Sequence, residues 1–303
     1  MTEASQAVFK AIAFFDIFAH PLTAWEVKRF AFGKSLSLFQ VRHCLAELIE
    51  LGKISQHDGF YYLVGRFEIV RIRHQRHALS IAKYKIARRV AGWIAGLPYV
   101  RGVAVVNTLA FDSARADSDI DLLILVKTGR LWAARLIVTL VVQLLGLRRH
   151  GIKIANRACL SFYLDEKAID LTKIKLSSDP YLAYWMSTIV PLYGRPVFQK
   201  MHSQNEWQKN LVPGTWLSRP NFLRRVRLNK FSQGNKKMAE FLSGKWLEVL
   251  AKEIQMSKII RNKKSVAGAP DSRVVISDHM LKFHESDRRV EYAQAWQNMI
   301  ADN

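Results

Sequence analysis

The sequence predicts an α+β fold with a mixed β-sheet at its centre. Three observations lead to this prediction. Two apolar, β-branched runs at residues 103–106 and 122–126 have strand character and enclose a polar loop. The first 65 residues combine helical periodicity with capping and hairpin signals. The chain after residue 178 is largely helical in pattern, and 303 residues are enough for two or three domains.

Residues 1–65 are predicted to form a small N-terminal domain. Helical spacing from Gln6 to Phe18 is followed by two capping boxes, Thr23-Ala24-Trp25-Glu26 and Ser37-Leu38-Phe39-Gln40, and by a hairpin signal at Asp58-Gly59. Three short helices and a hairpin are typical of a winged helix, a variant of the helix-turn-helix. The exposed face of the third helix mixes basic and acidic residues: Arg42, His43, Glu47 and Glu50. A structural or interaction role is therefore favoured over sequence-specific DNA binding.

Residues 66–98 are predicted to form a long basic connector helix. Eight cations in this segment stand against one acid, Glu68. A solvated charged face is the ordinary interpretation of such a pattern. Because the imbalance exceeds what solubility requires, we also predict that four of the cations contact nucleic-acid phosphates: Arg71, Arg73, Arg76 and Lys83.

The segment predicted to carry the chemistry lies in a core domain at residues 99–178. Ser118-Asp119-Ile120-Asp121 opens the second apolar run. Because side chains alternate across a strand, we expect Asp119 and Asp121 to point to one side and Ile120 into the core. Two neighbouring carboxylates repel each other unless a cation lies between them, and their oxygens suit Mg²⁺ or Mn²⁺. These aspartates therefore predict a metal site, and a solvated turn is the alternative.

The second half of the core is predicted to contain an apolar helix at residues 130–147 and a strand at residues 157–164. Three cations would lie at the helix C-terminus, where they suit the helix dipole: Arg148, Arg149 and His150. Four polar or titratable residues would share one face of the strand: Cys159, Ser161, Tyr163 and Asp165.

Residues 179–303 are predicted to form a helical C-terminal region. It begins at Asp179-Pro180, continues in a helix near Met238–Ile260 and ends in a capped helix that starts near Ser277. A polar loop is expected between the last two helices, at residues 261–273.

Composition limits the classes of partner. The chain has 46 Lys and Arg against 25 Asp and Glu, a formal net charge of +21 and a pI near 10.1. A charge of this size favours RNA, DNA or an anionic membrane surface, and solubility alone is the alternative. Two cysteines without metal-ligand spacing and a start without a secretory pattern favour a cytoplasmic protein. The apolar run at residues 131–147 is too short to span a membrane, so no membrane span is expected.

The central segment resembles the nucleotidyltransferase superfamily typified by DNA polymerase beta, and the whole domain order is similar to that of uncharacterised bacterial nucleotidyltransferase-domain proteins. The superfamily motif is a Gly-Ser pair, a small-residue loop and Ser-Asp-apolar-Asp-Leu, which Ser118 to Leu122 match. Asn107 and Thr108 stand in place of the Gly-Ser pair, and Asp112 stands where a second Gly is usual.

This resemblance implies a metal-dependent transfer of NMP from an NTP to an acceptor hydroxyl. Mg²⁺ or Mn²⁺ would bind Asp119 and Asp121, and the nucleotide would contact Asn107, Thr108 and Ser118. Superfamily enzymes place a third catalytic carboxylate on the following strand, and Asp165 is the acid available there. The acceptor could be an RNA end, a protein hydroxyl or a small molecule. The alternative is a catalytically lapsed module of this fold that binds nucleic acid or a protein partner through its basic helices.

Overall fold

The N-terminal part of the chain combines three helices with a three-stranded antiparallel sheet. The computed structural model describes residues 1–177, 179–261, 273–284 and 287–301. The capping boxes are confirmed, since the Thr23 and Ser37 side chains accept from the amides of Glu26 and Gln40. The sheet order is β1-β3-β2, and β2 and β3 form the predicted hairpin. The elements are α1 (Glu3–Asp16), β1 (Leu22–Thr23), α2 (Ala24–Phe30), α3 (Leu38–Glu50), β2 (Ile54–His57) and β3 (Phe60–Leu63).

A long helix, α4 (Glu68–Ala95), leads to the central sheet, and its C-terminal half packs in the main hydrophobic core. The next elements are β4 (Val100–Val105), α5 (Asn107–Ala110), β5 (Ile120–Val126), α6 (Leu131–Leu144) and β6 (Ala158–Asp165). β4 pairs with β5 in the antiparallel sense, while β5 and β6 are parallel. Parallel neighbours need a crossover connection, and α6 provides it. The sheet is therefore mixed, as predicted.

The C-terminal part of the chain is not purely helical, because it supplies three strands of the central sheet. After a short 3₁₀ helix at Thr172–Ile174, its elements are α7 (Pro180–Thr188), β7 (Val190–Tyr193), α8 (Arg195–Gln204), α9 (Trp207–Leu211), α10 (Lys230–Leu242), α11 (Trp246–Arg261), β8 (Val274–Ile276), β9 (Met280–Phe283) and α12 (Arg289–Ala301). The six-stranded order is β7-β4-β5-β6-β9-β8.

Two predicted helices differ from the structure. The helix expected near Met238–Ile260 is two helices, α10 and α11, separated at Ser243-Gly244. The final helix begins at Arg289 rather than near Ser277, because Met280 to Lys282 pair with β6, and β9 contributes side chains to the cores on both faces of the sheet. Most of the polar loop predicted at residues 261–273 lies outside the described residues.

Helices cover both faces of the central sheet. Buried side chains of α4, α6 and α11 pack on one face, and those of α7 and α8 pack on the other. The N-terminal helices share a third core with α7 and α12 through Tyr184 and Trp296. Within the described part of the chain, each helix is too short or too polar to cross a membrane.

Candidate metal and nucleotide site

Asp119 and Asp121 lie at the start of β5, as the two-residue alternation predicts. Ile120 between them is fully buried in the core, while both aspartates are partly exposed. One oxygen of each carboxylate and the thiol of Cys159 all lie within 4.8 Å of one another. The prediction that the two aspartates point to one side is confirmed, and these three side chains form one potential metal-ligand group.

Cys159 is the third member of this group because β5 and β6 are parallel and in register. Asp121 pairs with Cys159 across the two strands. The Cys159 thiol donates to the hydroxyl of Ser161 at 3.3 Å, and that hydroxyl is 3.0 Å from Nε2 of His284. Burial and the Asp121 carboxylate raise the pKa of the Cys159 thiol to about 12. Without a bound metal ion, this thiol therefore stays protonated at neutral pH.

Asp165 lies at the other end of β6 from the aspartate pair, so the structure does not bring the predicted third catalytic carboxylate to the site. The register shifts between the Cys159 and Phe162 pairs, and this bulge reverses the alternation of the following side chains. Asp165 also lies six residues beyond Cys159, roughly 20 Å along the strand. There it is fully buried, accepts from the amide of Lys167 at 2.8 Å and lies 2.7 Å from Nδ1 of His279. Its role is to fix the end of β6 against the β8–β9 hairpin.

Asn107 sets the turn between β4 and α5. Its φ is +58°, in the left-handed region that Asn tolerates better than most residues. Its side chain donates to Asp121 at 2.8 Å and accepts from the indole of Trp185 at 2.9 Å. Asp112 also has a positive φ of 54°, and its carboxylate is paired with Arg224 at 2.9 Å. Asn107 and Asp112 thus both have the left-handed backbone conformation that Gly favours.

Thr108 and Ser118, the other two predicted nucleotide contacts, occupy different positions. Thr108 lines a small, mainly aromatic cavity of about 220 Å³ that also reaches Asp121. The Ser118 hydroxyl donates to the carbonyl of Arg115 at 3.0 Å, and this bond stabilises the turn before β5. The structure therefore brings Asn107 and Thr108 beside the aspartates, while the Ser118 hydroxyl is already engaged within its own loop.

Arg149 is a site residue that the sequence pattern assigned to a helix end. One guanidinium nitrogen donates to the Asp119 carboxylate at 2.7 Å and lies 3.8 Å from Cys159 Sγ. The α6 helix ends at Leu144, three residues earlier than predicted, because Gly146 takes a φ of +65°. The chain then returns alongside β6, which brings Arg149 to the aspartates. No local sequence pattern predicts that the chain returns beside β6.

Asp121 lines a basic cavity of about 680 Å³. Its aromatic lining includes Tyr181, Trp185 and Tyr292, and its only lining carboxylates among the described residues are Asp121 and Asp287. Asp287 is already paired with Lys282 at 2.8 Å and with Arg289 at 2.9 Å. The lining cations are Arg135, Arg148, Arg149, Lys282, Arg288 and Arg289. An excess of cations beside two carboxylates suits a phosphate-rich ligand that arrives with a metal ion.

The four cations predicted to contact nucleic acid are divided by the structure. Arg71 is exposed, but Lys83 is only 2 % exposed and donates to Ser118 O at 2.7 Å and Asn156 Oδ1 at 2.9 Å. Arg73 is paired with Glu26 at 2.7 Å, and Arg76 donates to Phe18 O and Ser113 Oγ. Three of the four predicted contacts are therefore internal supports, because one side of α4 lies against the N-terminal helices and the loop before β5.

The ionisation of Asp121 gives a first testable prediction. Burial and the neighbouring Asp119 carboxylate raise the pKa of Asp121 from 3.8 to about 6. Between these two pH values the folded state binds more protons than the unfolded state, so stability falls as the pH rises. In metal-free buffer we expect Asp121 to lower the free energy of unfolding of the wild type by about 2 kcal/mol between pH 4 and pH 7. Asp121→Asn should remove this fall. Denaturant unfolding between pH 4 and pH 7 measures it, and parallel profiles for wild type and variant would contradict the expectation.

Comparisons with protein-family models, curated proteins and solved structures found no match. The functional interpretation therefore depends on the geometry of this chain.

Proposed function

We propose that this chain is a metal-dependent nucleotidyltransferase that moves an NMP from an NTP to an acceptor hydroxyl. The observation that carries the proposal is the placement of Asp119 and Asp121 on one side of β5, beside the left-handed turn at Asn107 and at the edge of a basic cavity. Carboxylates for a divalent cation and arginines for phosphates are the parts that phosphoryl-transfer sites share.

The fold supports the same proposal. The order β4, α5, β5, α6, β6, with β4 antiparallel and β6 parallel to β5, fits the nucleotidyltransferase core that the motif predicts. The helices and small sheet of residues 1–65 fit a winged-helix-like domain, and α4 fits a connector at residues 66–98. We place the catalytic core at residues 99–178, with β7 to β9 from residues 179–303 completing its sheet.

The donor group at the site fits a divalent cation, since two carboxylates and a thiol converge within 4.8 Å. Bound Mg²⁺ or Mn²⁺ would neutralise triphosphate charge and favour attack by the acceptor oxygen. Asn107 holds Asp121 in place by its 2.8 Å hydrogen bond. Arg148 in the cavity lining supplies charge for the phosphates, and Arg149 would add its charge when a metal ion takes its place at Asp119. A bond forms between the acceptor oxygen and the α-phosphorus, the bond to the β-phosphate oxygen breaks, and pyrophosphate and a proton leave.

The test is to incubate the purified protein with each labelled NTP and either Mg²⁺ or Mn²⁺. We expect pyrophosphate release. The acceptor class is identified by whichever added compound, an RNA, a protein or an aminoglycoside, receives the label. Absence of release with every NTP, metal and acceptor tried would reject the proposed activity.

The contact between Arg149 and Asp119 favours a second candidate function. A guanidinium 2.7 Å from the carboxylate neutralises it without a metal. In a catalytically lapsed module this ion pair would replace the cation, and the fold would bind nucleic acid or a protein partner through its basic helices. Thermal unfolding with NTP separates the candidates, because a ligand that binds only the folded state raises the melting temperature. An enzyme should show a rise that requires Mg²⁺ or Mn²⁺, whereas a lapsed module should show none.

Cys159 gives a second prediction, about metal preference. A thiolate is a softer ligand than a carboxylate, and Mg²⁺ prefers oxygen ligands in octahedral geometry. We expect Cys159→Asp to tighten Mg²⁺ binding at least about tenfold, which corresponds to about 1.4 kcal/mol. Isothermal titration of both proteins with MgCl₂ measures the change. Cys44→Ser, in the separate N-terminal core, is the control and should keep the wild-type affinity.

A further inference from the structure

The solvent side of α4 forms one wall of a second groove, with a volume of about 1270 Å³. Residues recur along this wall at helical spacing from His77 to Leu97. The opposite wall is the segment at residues 221–228, which begins with a turn and is followed by the start of α10. A hydrogen bond of 3.2 Å from Arg88 Nε to the Arg225 carbonyl joins the two walls. The groove is therefore a feature built from two separate parts of the chain.

The groove is positively charged along its length. Lys85, Arg88 and Arg89 are exposed on the helical wall, and Arg227 is exposed on the other. None of the described residues that line it is acidic. Arg224 also lines it, but its charge is used by Asp112 at 2.9 Å. Among the described residues no carboxylate pairs with the four exposed cations, so their charge is left for an external anion.

Apolar and aromatic surface lies between these cations. Trp93 is 55 % exposed, and Leu223 on the opposite wall is 63 % exposed. A partly exposed indole beside cations offers a planar face on which an unpaired base can stack, and a cationic groove can follow a phosphate backbone. From His77 to Ala95 the helix rises ~27 Å, which gives room for several nucleotides.

We propose that this groove binds single-stranded nucleic acid, with Lys85, Arg88, Arg89 and Arg227 on the phosphates and Trp93 stacked on a base. Charge complementarity favours an anionic polymer, and the exposed indole favours unpaired bases over a duplex. An acidic amphipathic peptide fits the charge but does not need a stacking platform. The proposal is independent of nucleotide transfer, because the groove contains neither Asp119 nor Asp121.

Fluorescence anisotropy with labelled 12-nucleotide RNA and DNA strands tests the proposal. We expect Lys85→Gln/Arg89→Gln to weaken binding of at least one strand about tenfold or more at low salt. A plot of the logarithm of the binding constant against the logarithm of the salt concentration has a slope that each lost phosphate contact should reduce by about 0.7. Trp93→Ala should weaken binding roughly tenfold without changing that slope. The matched control is Lys200→Gln/Lys209→Gln, which removes the same charge from exposed positions outside the groove and should bind like wild type.

The remaining measurements decide the alternatives. Asp119→Asn/Asp121→Asn should keep wild-type affinity without metal, so a failed transfer reaction leaves this result unaffected. Equal affinity of the groove variant and its lysine control for both strands would overturn the proposal. Equal binding of a duplex and a single strand by wild type would also overturn it, as would binding of a poly-glutamate peptide in place of either strand. Preference for RNA over DNA, or the reverse, identifies which strand is bound.

Discussion

Replacing Lys83 by Met is expected to destabilise the folded protein by about 2–4 kcal/mol. Its ammonium group is buried and donates to Ser118 O at 2.7 Å, Asn156 Oδ1 at 2.9 Å and Ala116 O at 3.3 Å. Met keeps most of the volume but donates no hydrogen bond, so the loop before β5 loses three partly buried hydrogen bonds from a charged donor. A hydrogen bond that involves a charged group contributes about 1.5–3 kcal/mol. Burial lowers the pKa of Lys83, while the nearby Asp119 and Asp117 carboxylates act against this shift.

Arg71→Met is the matched control for this prediction. Arg71 lies on the same helix and is exposed, and its replacement by Met also removes one positive charge. The free energy of unfolding should therefore change by no more than about 0.5 kcal/mol. Urea unfolding of both variants measures the difference. Because Lys83 holds the loop that leads into Asp119, metal affinity should fall in Lys83→Met and stay unchanged in Arg71→Met. Equal stabilities of the two variants would show that the loop does not depend on Lys83.

Local signals predicted the elements of the site that a short stretch of sequence controls. The aspartate pair follows from two-residue alternation, and both capping boxes depend on residues three apart. The positive φ of Asn107 is a backbone conformation that Asn tolerates better than most residues. Each of these features is fixed by neighbours within a few positions, so no knowledge of the tertiary structure was needed.

The remaining site features depend on contacts between distant parts of the chain. The sequence alone does not distinguish the cations of α4 that contact other parts of the chain from those that face solvent, because cations occur around the whole helix. Lys83 is buried only by tertiary packing. The bulge in β6 that turns Asp165 away has no single-residue signal. Arg149 reaches Asp119 only because the chain returns beside β6 after Gly146. β9 is only four residues long, too short for a periodic pattern.

The substitution Asp119→Asn/Asp121→Asn is expected to have the largest effect on activity. The pair supplies both carboxylates of the proposed metal site, so their removal should lower pyrophosphate release by at least about 10²–10³-fold. The rise in melting temperature caused by Mg²⁺ or Mn²⁺ with NTP should vanish at the same time. Without metal, the variant should be as stable as wild type or more stable, because two neighbouring carboxylates no longer repel each other.

Asp117→Asn is the control that separates a metal site from a general change in charge. Asp117 lies two residues before Asp119, is exposed and pairs with Arg115 at 3.1 Å. Its replacement should leave both release and the metal-dependent rise close to wild type. A double variant that still releases pyrophosphate at the wild-type rate would place the chemistry elsewhere. If the double variant loses the metal response while wild type shows metal binding without release, the site binds metal but does not transfer nucleotides.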